Sequence, residues 1–178
     1  HIKNPAIVIT ADDYYGASSF KILSDHFKSE QSWAMVGYPI EATLSTQGGV
    51  NRGICQVDSG YLQGVEEYLN ITQSDTGLTG VNPLGEQKQI AMEALSSMSF
   101  WGITPTFLER LEHGFVEFLE MDDSDVKREY YLPDQIQWSI INNKQKVRVY
   151  TAQESWYGVT YKSELQDVAG KLYELRHG

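Results

Sequence analysis

The chain has 178 residues, 41% hydrophobic and 21% charged, which is enough for the core of one domain and excludes an intrinsically disordered chain. A formal net charge of -10, from 14 Lys and Arg against 24 Asp and Glu, argues against a nucleic-acid-binding surface. The longest apolar run is far shorter than the ~20 residues of a membrane-spanning helix, and one cysteine cannot form an internal disulfide. Because the first residues also lack a signal-peptide pattern, we expect a cytoplasmic protein with neither membrane nor nucleic-acid partners.

The first part of the chain alternates between strand and helix patterns. Residues 5–11 form a run rich in β-branched side chains, which predicts a strand buried on both faces. The apolar spacing after Gly16 predicts a helix, and the run 33–38 predicts a second strand. This alternation is typical of an α/β sheet with helices on its faces.

The middle of the chain predicts a β-hairpin with strands over 52–57 and 61–69, joined by an Asp-Ser-Gly turn at 58–60. Residues 72–89 are rich in Gly, Thr, Ser and Asn, which predicts a long mobile loop. Strand character then returns over 94–103.

The last third predicts three helices and a strand. The Thr-Pro pair at 104–105 begins the first helix, and a second surrounds 129–142. Residues 146–150 alternate as a strand, and Ser163 with Gln166 forms a capping box for the final helix. No change in composition marks a domain boundary, so we expect a single domain.

Asp12 and Asp13 directly follow the first predicted strand. Open α/β sheets bind ligands at the carboxyl ends of their strands, and carboxylate oxygens there suit Mg²⁺ bound to phosphates. The alternative is structural: one aspartate caps the next helix and the other faces water.

Several familiar site motifs are absent from the sequence. It contains no G-x-G-x-x-G, no G-x-x-x-x-G-K-[ST], no H-E-x-x-H and no pair of cysteines, which excludes the simplest dinucleotide, P-loop and zinc sites. Cys55 lies within a predicted strand and is expected to be structural.

A series of short stretches resembles the sugar-phosphate nucleotidyltransferases. Residues 9–16, Ile-Thr-Ala-Asp-Asp-Tyr-Tyr-Gly, resemble the family's N-A-D-D-[FY]-[FY]-G element. The other stretches follow in the family's order and extend over nearly the whole chain: 35–38 (M-V-G-Y), 43–45 (T-L-S), 50–55 (V-x-R-G-V-C), 65–67 (V-E-R), 97–102 (S-M-N-x-W-G), 129–133 (E-[FY]-[FY]-L-P) and 156–160 (W-[FY]-G-V-T).

This resemblance implies a Rossmann-like (GT-A-type) α/β fold, with a mixed sheet flanked by helices. It also implies a reaction in which a sugar 1-phosphate attacks the α-phosphorus of a nucleoside triphosphate, giving a nucleotide sugar and pyrophosphate. The partners would be these two substrates, and the cofactor would be Mg²⁺.

The resemblance further implies the site residues. Asp12 would hold Mg²⁺, and Asp13 would support catalysis beside it. Gly53 would let the sugar approach the backbone, because any Cβ there would intrude. The substrate-binding residues would be Gly53, Glu66, Glu67 and Glu129.

The chain departs from the family pattern in three respects. The G-x-G-T-R loop and its following lysine, which hold the triphosphate, are missing. Gly158 stands where many relatives have a second metal-binding aspartate, and Tyr68 stands where a cation follows the sugar-binding glutamate.

We therefore expect residues 1–178 to be the C-terminal sugar- and metal-binding portion of such an enzyme. With the fold incomplete at the N-terminus, the fragment should be inactive alone, and its open sheet edge should favour homo-oligomers. One alternative is a non-catalytic protein that binds a nucleotide sugar or sugar phosphate on the same fold. Another is an assembly module that uses an aromatic-rich surface.

Overall fold

The computed structural model describes residues 2–121, 128–159 and 161–177, which form eight β-strands and four α-helices. The strands are β1 (Ala6–Val8), β2 (Trp33–Pro39), β3 (Val50–Asp58), β4 (Tyr61–Ser74), β5 (Gly77–Val81), β6 (Gln87–Ile90), β7 (Leu95–Ile103) and β8 (Val147–Thr151). The helices are α1 (Ala17–Ser29), α2 (Pro105–Glu120), α3 (Leu132–Asn143) and α4 (Leu165–His177). None of the helices in these described ranges is long and apolar enough to cross a membrane.

Five of the strands close into a small barrel. β7 pairs with β2, β2 with β8, β8 with β4, β4 with β3, and β3 again with β7. Only the β2–β8 pair is parallel. Only short stretches of strand pair where the ring closes. Tyr61 pairs with Arg148 between β4 and β8, and Gly53 pairs with Ser97 between β3 and β7.

The predicted fold class is therefore wrong. An open, Rossmann-like mixed sheet flanked by helices was expected, and the ring of five strands is closed instead. The hairpin closes the ring. The free edge of β3 pairs with β7 and the free edge of β4 pairs with β8, which joins the two ends of the sheet. Register shifts within the hairpin, between Val50 and Arg52 and between Gln56 and Val57, accompany the bending that closure requires.

The first strand also differs from its prediction. Within 5–11, only three residues form β1, which pairs with β7 alone and lies outside the ring. Its side chains are half-buried, and not buried on both faces as expected. Because the expected self-association was argued from an open, truncated sheet, the closed ring removes that argument and homo-oligomerisation stays a prediction.

The segment 72–89 contains strands in place of the predicted loop. β4 continues to Ser74, and β5 and β6 then add to it as antiparallel neighbours. Ile71, Leu78 and Ile90 from these strands are buried in one small cluster. The hairpin thus extends beyond the barrel as a packed sheet.

The other predicted elements form close to their predicted bounds. These are the helix after Gly16, the strands over 33–38, 94–103 and 146–150, the hairpin and the three C-terminal helices. The last helix differs in its start, where the capping box is made by Tyr161 and Glu164 at a short 3-10 turn.

The largest buried cluster draws on every strand of the ring. It contains Trp33, Met35, Cys55, Leu62, Trp101, Ile103, Phe107, Ile136 and Val147. Because alternate residues of a strand face the same side, these positions mark the inner face of the barrel, which α2 and α3 cover. The other face of β2 and β7 packs under α1 through Leu23. Cys55 is buried in this core, as its predicted structural role requires.

Two phenylalanines on α2 test this arrangement. Phe107 is fully buried, whereas Phe115 is 46% exposed. Phe107→Ala should lower the free energy of unfolding by about 3–5 kcal/mol because it leaves a cavity in the barrel core. Phe115→Ala should lower it by roughly 1 kcal/mol or less. Urea unfolding followed by circular dichroism measures both, and equal losses would contradict the placement of α2 over the core.

Candidate functional site

A cavity of about 590 Å³ lies where the β3–β4 hairpin, β7 and the start of α3 meet. It is lined by Gly53, Val65, Glu67, Ser97, Ser99, Tyr131, Pro133, Asp134 and Gln137. This volume is within the range of pockets that hold small molecules. Carboxylates, hydroxyls and an amide line it together with one aromatic ring, so the lining can both accept and donate hydrogen bonds.

Gly53 and Glu67 are neighbours across the hairpin and both line the cavity. A Cβ on Gly53 would lie 2.5 Å from Cγ1 of Val65 and 3.5 Å from Oε2 of Glu67. A side chain at position 53 would therefore clash with Val65 and lie in contact with the Glu67 carboxylate. Partial desolvation raises the pKa of Glu67, and the nearby Arg52 opposes that shift.

Arg52 connects the cavity with Asp13. Burial lowers the pKa of Arg52, and the carboxylates of Asp13, Glu67 and Glu164 oppose that effect. Its Nη2 donates a hydrogen bond of 2.7 Å to the carbonyl oxygen of Thr43, which fixes the guanidinium. Sequence analysis assigned no role to Arg52, although the V-x-R-G-V-C stretch contains it.

Asp13 is half-buried beside this guanidinium. Burial raises its pKa, while the Tyr15 hydroxyl and the charge of Arg52 favour the charged form. The Tyr15 hydroxyl lies 3.2 Å from Oδ2 of Asp13 and donates a hydrogen bond of 2.8 Å to the carbonyl oxygen of Met98. Met98 stands between the two serines that line the cavity, so Asp13 is linked to the cavity on this side as well.

Asp12 is exposed in the turn that follows β1. Within the described ranges, no three His, Cys, Asp or Glu side chains come together as a metal site. A Cβ on Gly158 would lie 2.5 Å from Oδ1 of Asp13, so backbone packs closely against this carboxylate. Mg²⁺ is usually bound by one or two carboxylates together with substrate phosphates. Asp12, with Asp13 next to it in the chain, would have to bind Mg²⁺ in that manner, and Asp12 as its ligand stays a prediction.

The alternative role of the aspartates as helix caps is wrong. The N-cap residue of α1 is Gly16, which has no side chain with which to form a capping hydrogen bond. Oε2 of Glu154 instead accepts a hydrogen bond of 2.6 Å from the backbone N–H of Ser18 in the first turn. Asp12 and Asp13 are therefore not needed to begin this helix.

Two predicted substrate-binding residues lie outside the cavity lining. Glu66 points to the other face of β4, where its Oε2 accepts a hydrogen bond of 3.1 Å from Gln56. The Glu129 carboxylate raises the pKa of Tyr131, which does line the cavity. The structure thus brings Gly53 and Glu67 into the cavity and Asp13 beside it.

Several lining residues had no assigned role in the sequence analysis: Ser97, Ser99, Tyr131, Asp134 and Gln137. Three of them lie in the stretches 97–102 and 129–133, so the resemblance covered them without distinguishing them. Ser99 has a φ of +60°, a left-handed conformation that is uncommon for residues other than glycine. Such backbone positions cluster at functional sites.

Comparison with known proteins adds no function to this geometry. No protein-family model matches the chain, and no curated protein matches it significantly. A functional proposal therefore rests on the residues of the cavity and on the motif resemblance.

The raised pKa values of Asp13 and Glu67 predict a stability effect. A carboxyl group whose pKa is raised by folding binds its proton more tightly in the folded state than in the unfolded state. Loss of that proton as the pH rises therefore lowers the free energy of unfolding. Asp13→Asn and Glu67→Gln should each be more stable than the wild type at pH 7. The difference should vanish below the ordinary pKa values, 3.8 for Asp and 4.5 for Glu.

Chemical denaturation between pH 3 and pH 7 measures this difference. Asp25→Asn is the control with the opposite sign, because Lys21 and Lys28 lower the pKa of Asp25 to about 2. A lower free energy of unfolding at pH 7 in the Asp13 or Glu67 variant would contradict the raised pKa of that residue.

Proposed function

We propose that the cavity binds the sugar of a sugar 1-phosphate, and that the protein acts in nucleotidyl transfer to this sugar phosphate in the cytoplasm. The observation that carries the proposal is the meeting of Gly53 and Glu67 in one polar cavity. Glu67 offers a carboxylate acceptor for sugar hydroxyls, and Gly53 contributes backbone to the lining opposite Glu67. These are the two roles that the family resemblance gives to these residues.

The proposed reaction forms a bond between an oxygen of the sugar phosphate and the α-phosphorus of a nucleoside triphosphate. The bond from the α-phosphorus to the bridging oxygen breaks, and pyrophosphate leaves with the electron pair. The attacking oxygen is already ionised, so the reaction needs alignment and positive charge in place of a general base. When bound, Mg²⁺ supplies positive charge on the phosphates, and Asp12 and Asp13 would hold it.

Arg52 supports this division of roles. Its guanidinium acts electrostatically on both Asp13 and Glu67, so one cation acts on the predicted catalytic residue beside the metal ligand and on the predicted sugar ligand. Two partly desolvated carboxylates can remain ionised near each other when a cation lies close to both. We therefore treat the cavity and the aspartates as parts of one site.

A second candidate is a protein that binds a nucleotide sugar or sugar phosphate without turnover. The close packing of Gly158 against Asp13 favours it, because backbone occupies the position where many relatives carry a second metal-binding carboxylate. Both candidates use the same cavity, and turnover distinguishes them.

Glu67→Gln tests the cavity. Hydrogen bonds to a charged acceptor contribute more than neutral ones, so this variant should bind a hexose 1-phosphate at least about tenfold more weakly. Glu66→Gln is the matched control, since it removes the same charge from the opposite face of β4 and should bind within about twofold of the wild type. Isothermal titration calorimetry over a panel of hexose 1-phosphates measures both, and equal affinities of the two variants would count against the cavity.

Asp12→Asn tests the catalytic proposal. The protein, with any residues that its gene encodes before residue 1, is assayed for pyrophosphate release from a panel of nucleoside triphosphates with hexose 1-phosphates and Mg²⁺. Loss of a metal ligand should reduce turnover on the order of 100-fold, and Asp13→Asn should reduce it less. Sugar phosphate binding without turnover by any pair would favour the second candidate.

A further inference from the structure

Tyr131 is a large aromatic side chain at the rim of the cavity. It is the N-cap residue of α3 and is 54% exposed, and the three buried clusters formed by the described residues do not include it. An aromatic ring left in solvent contributes little to the stability of the fold, since its apolar surface is not removed from water. Its position beside a polar cavity indicates a role toward a ligand.

The segment that carries Tyr131 is fixed to the hairpin. Nε2 of Gln137, in the helix that Tyr131 begins, donates a hydrogen bond of 3.2 Å to the carbonyl oxygen of a β4 residue. Tyr131 and Glu67 line the same cavity. The Glu129 carboxylate raises the pKa of Tyr131, and the charges of Asp134 and Glu67 act in the same direction.

The cavity combines polar groups with one aromatic ring. Glu67, Ser97 and Ser99 offer polar groups from the strands, Asp134 and Gln137 offer polar groups from α3, and Tyr131 adds an aromatic face. A pyranose ring has hydroxyls at its edge and a face of C–H groups. The electron-rich face of an aromatic ring attracts such weakly positive C–H groups and also excludes water from them.

We propose that Tyr131 packs against the C–H face of the bound sugar ring. This inference rests on the proposed function, since it takes a sugar phosphate as the ligand.

The test measures binding of glucose 1-phosphate to the whole chain by calorimetry and by NMR of the ligand. Tyr131→Ala should bind about tenfold more weakly. Tyr131→Phe keeps the ring and should bind within about threefold of the wild type. Tyr173→Ala, which removes an exposed tyrosine from α4, is the control and should bind like the wild type. The wild type and Tyr131→Phe should shift the C–H resonances of the bound sugar upfield, and Tyr131→Ala should abolish that shift.

The outcomes distinguish this inference from the function on which it rests. If the wild type binds glucose 1-phosphate and Tyr131→Ala binds it equally well, the inference is overturned and the proposed function stands. If the wild type binds neither glucose 1-phosphate nor any other hexose 1-phosphate of the panel, the proposed function is overturned and the inference with it.

Discussion

The structure depends on the pairing of β3 on both of its sides at Gly53. This residue pairs with Glu67 of β4 and with Ser97 of β7, so three strands meet in one row. The pairing with β7 closes the barrel, and the same row supplies three of the residues that line the cavity. A side chain at Gly53 would collide with Val65, so the position that closes the ring must also be free of a Cβ.

Two partly desolvated carboxylates lie around this row. Burial raises the pKa of Asp13 and desolvation raises that of Glu67, which means that the fold must hold both carboxylates partly away from water. Arg52, next to Gly53 in the chain, opposes both shifts, although burial weakens its own charged form. Shifted pKa values of this kind cluster at functional sites, and Glu67 lines the cavity.

Sequence patterns predicted the parts of the fold that local signals determine. The hairpin has its Asp-Ser-Gly turn and α2 its Thr-Pro start, and both formed as expected. Closure of the ring could not be predicted in this way, because the pairing of β3 with β7 joins residues far apart in the chain and no local motif records it. The segment 72–89 was misjudged for another reason. Its glycines mark tight turns of a meander, with φ of +114° at Gly77 and +77° at Gly85, and the residues between those turns form strands.

The candidate site likewise combines residues that the sequence predicted with residues that only the tertiary packing brings in. Gly53 and Glu67 were predicted from the resemblance and meet in the cavity, whereas Tyr131 and Asp134 reach it only because α3 packs beside β4. β7 then joins the cavity to the aspartate region. Ser97 and Ser99 line the cavity, and the carbonyl oxygen of Met98 between them accepts the hydrogen bond from Tyr15, whose hydroxyl also faces Asp13. A displacement of this part of β7 by a ligand in the cavity would therefore alter the hydrogen bonding of Asp13. The fold thus connects the cavity and the Asp13 region through three consecutive residues of one strand.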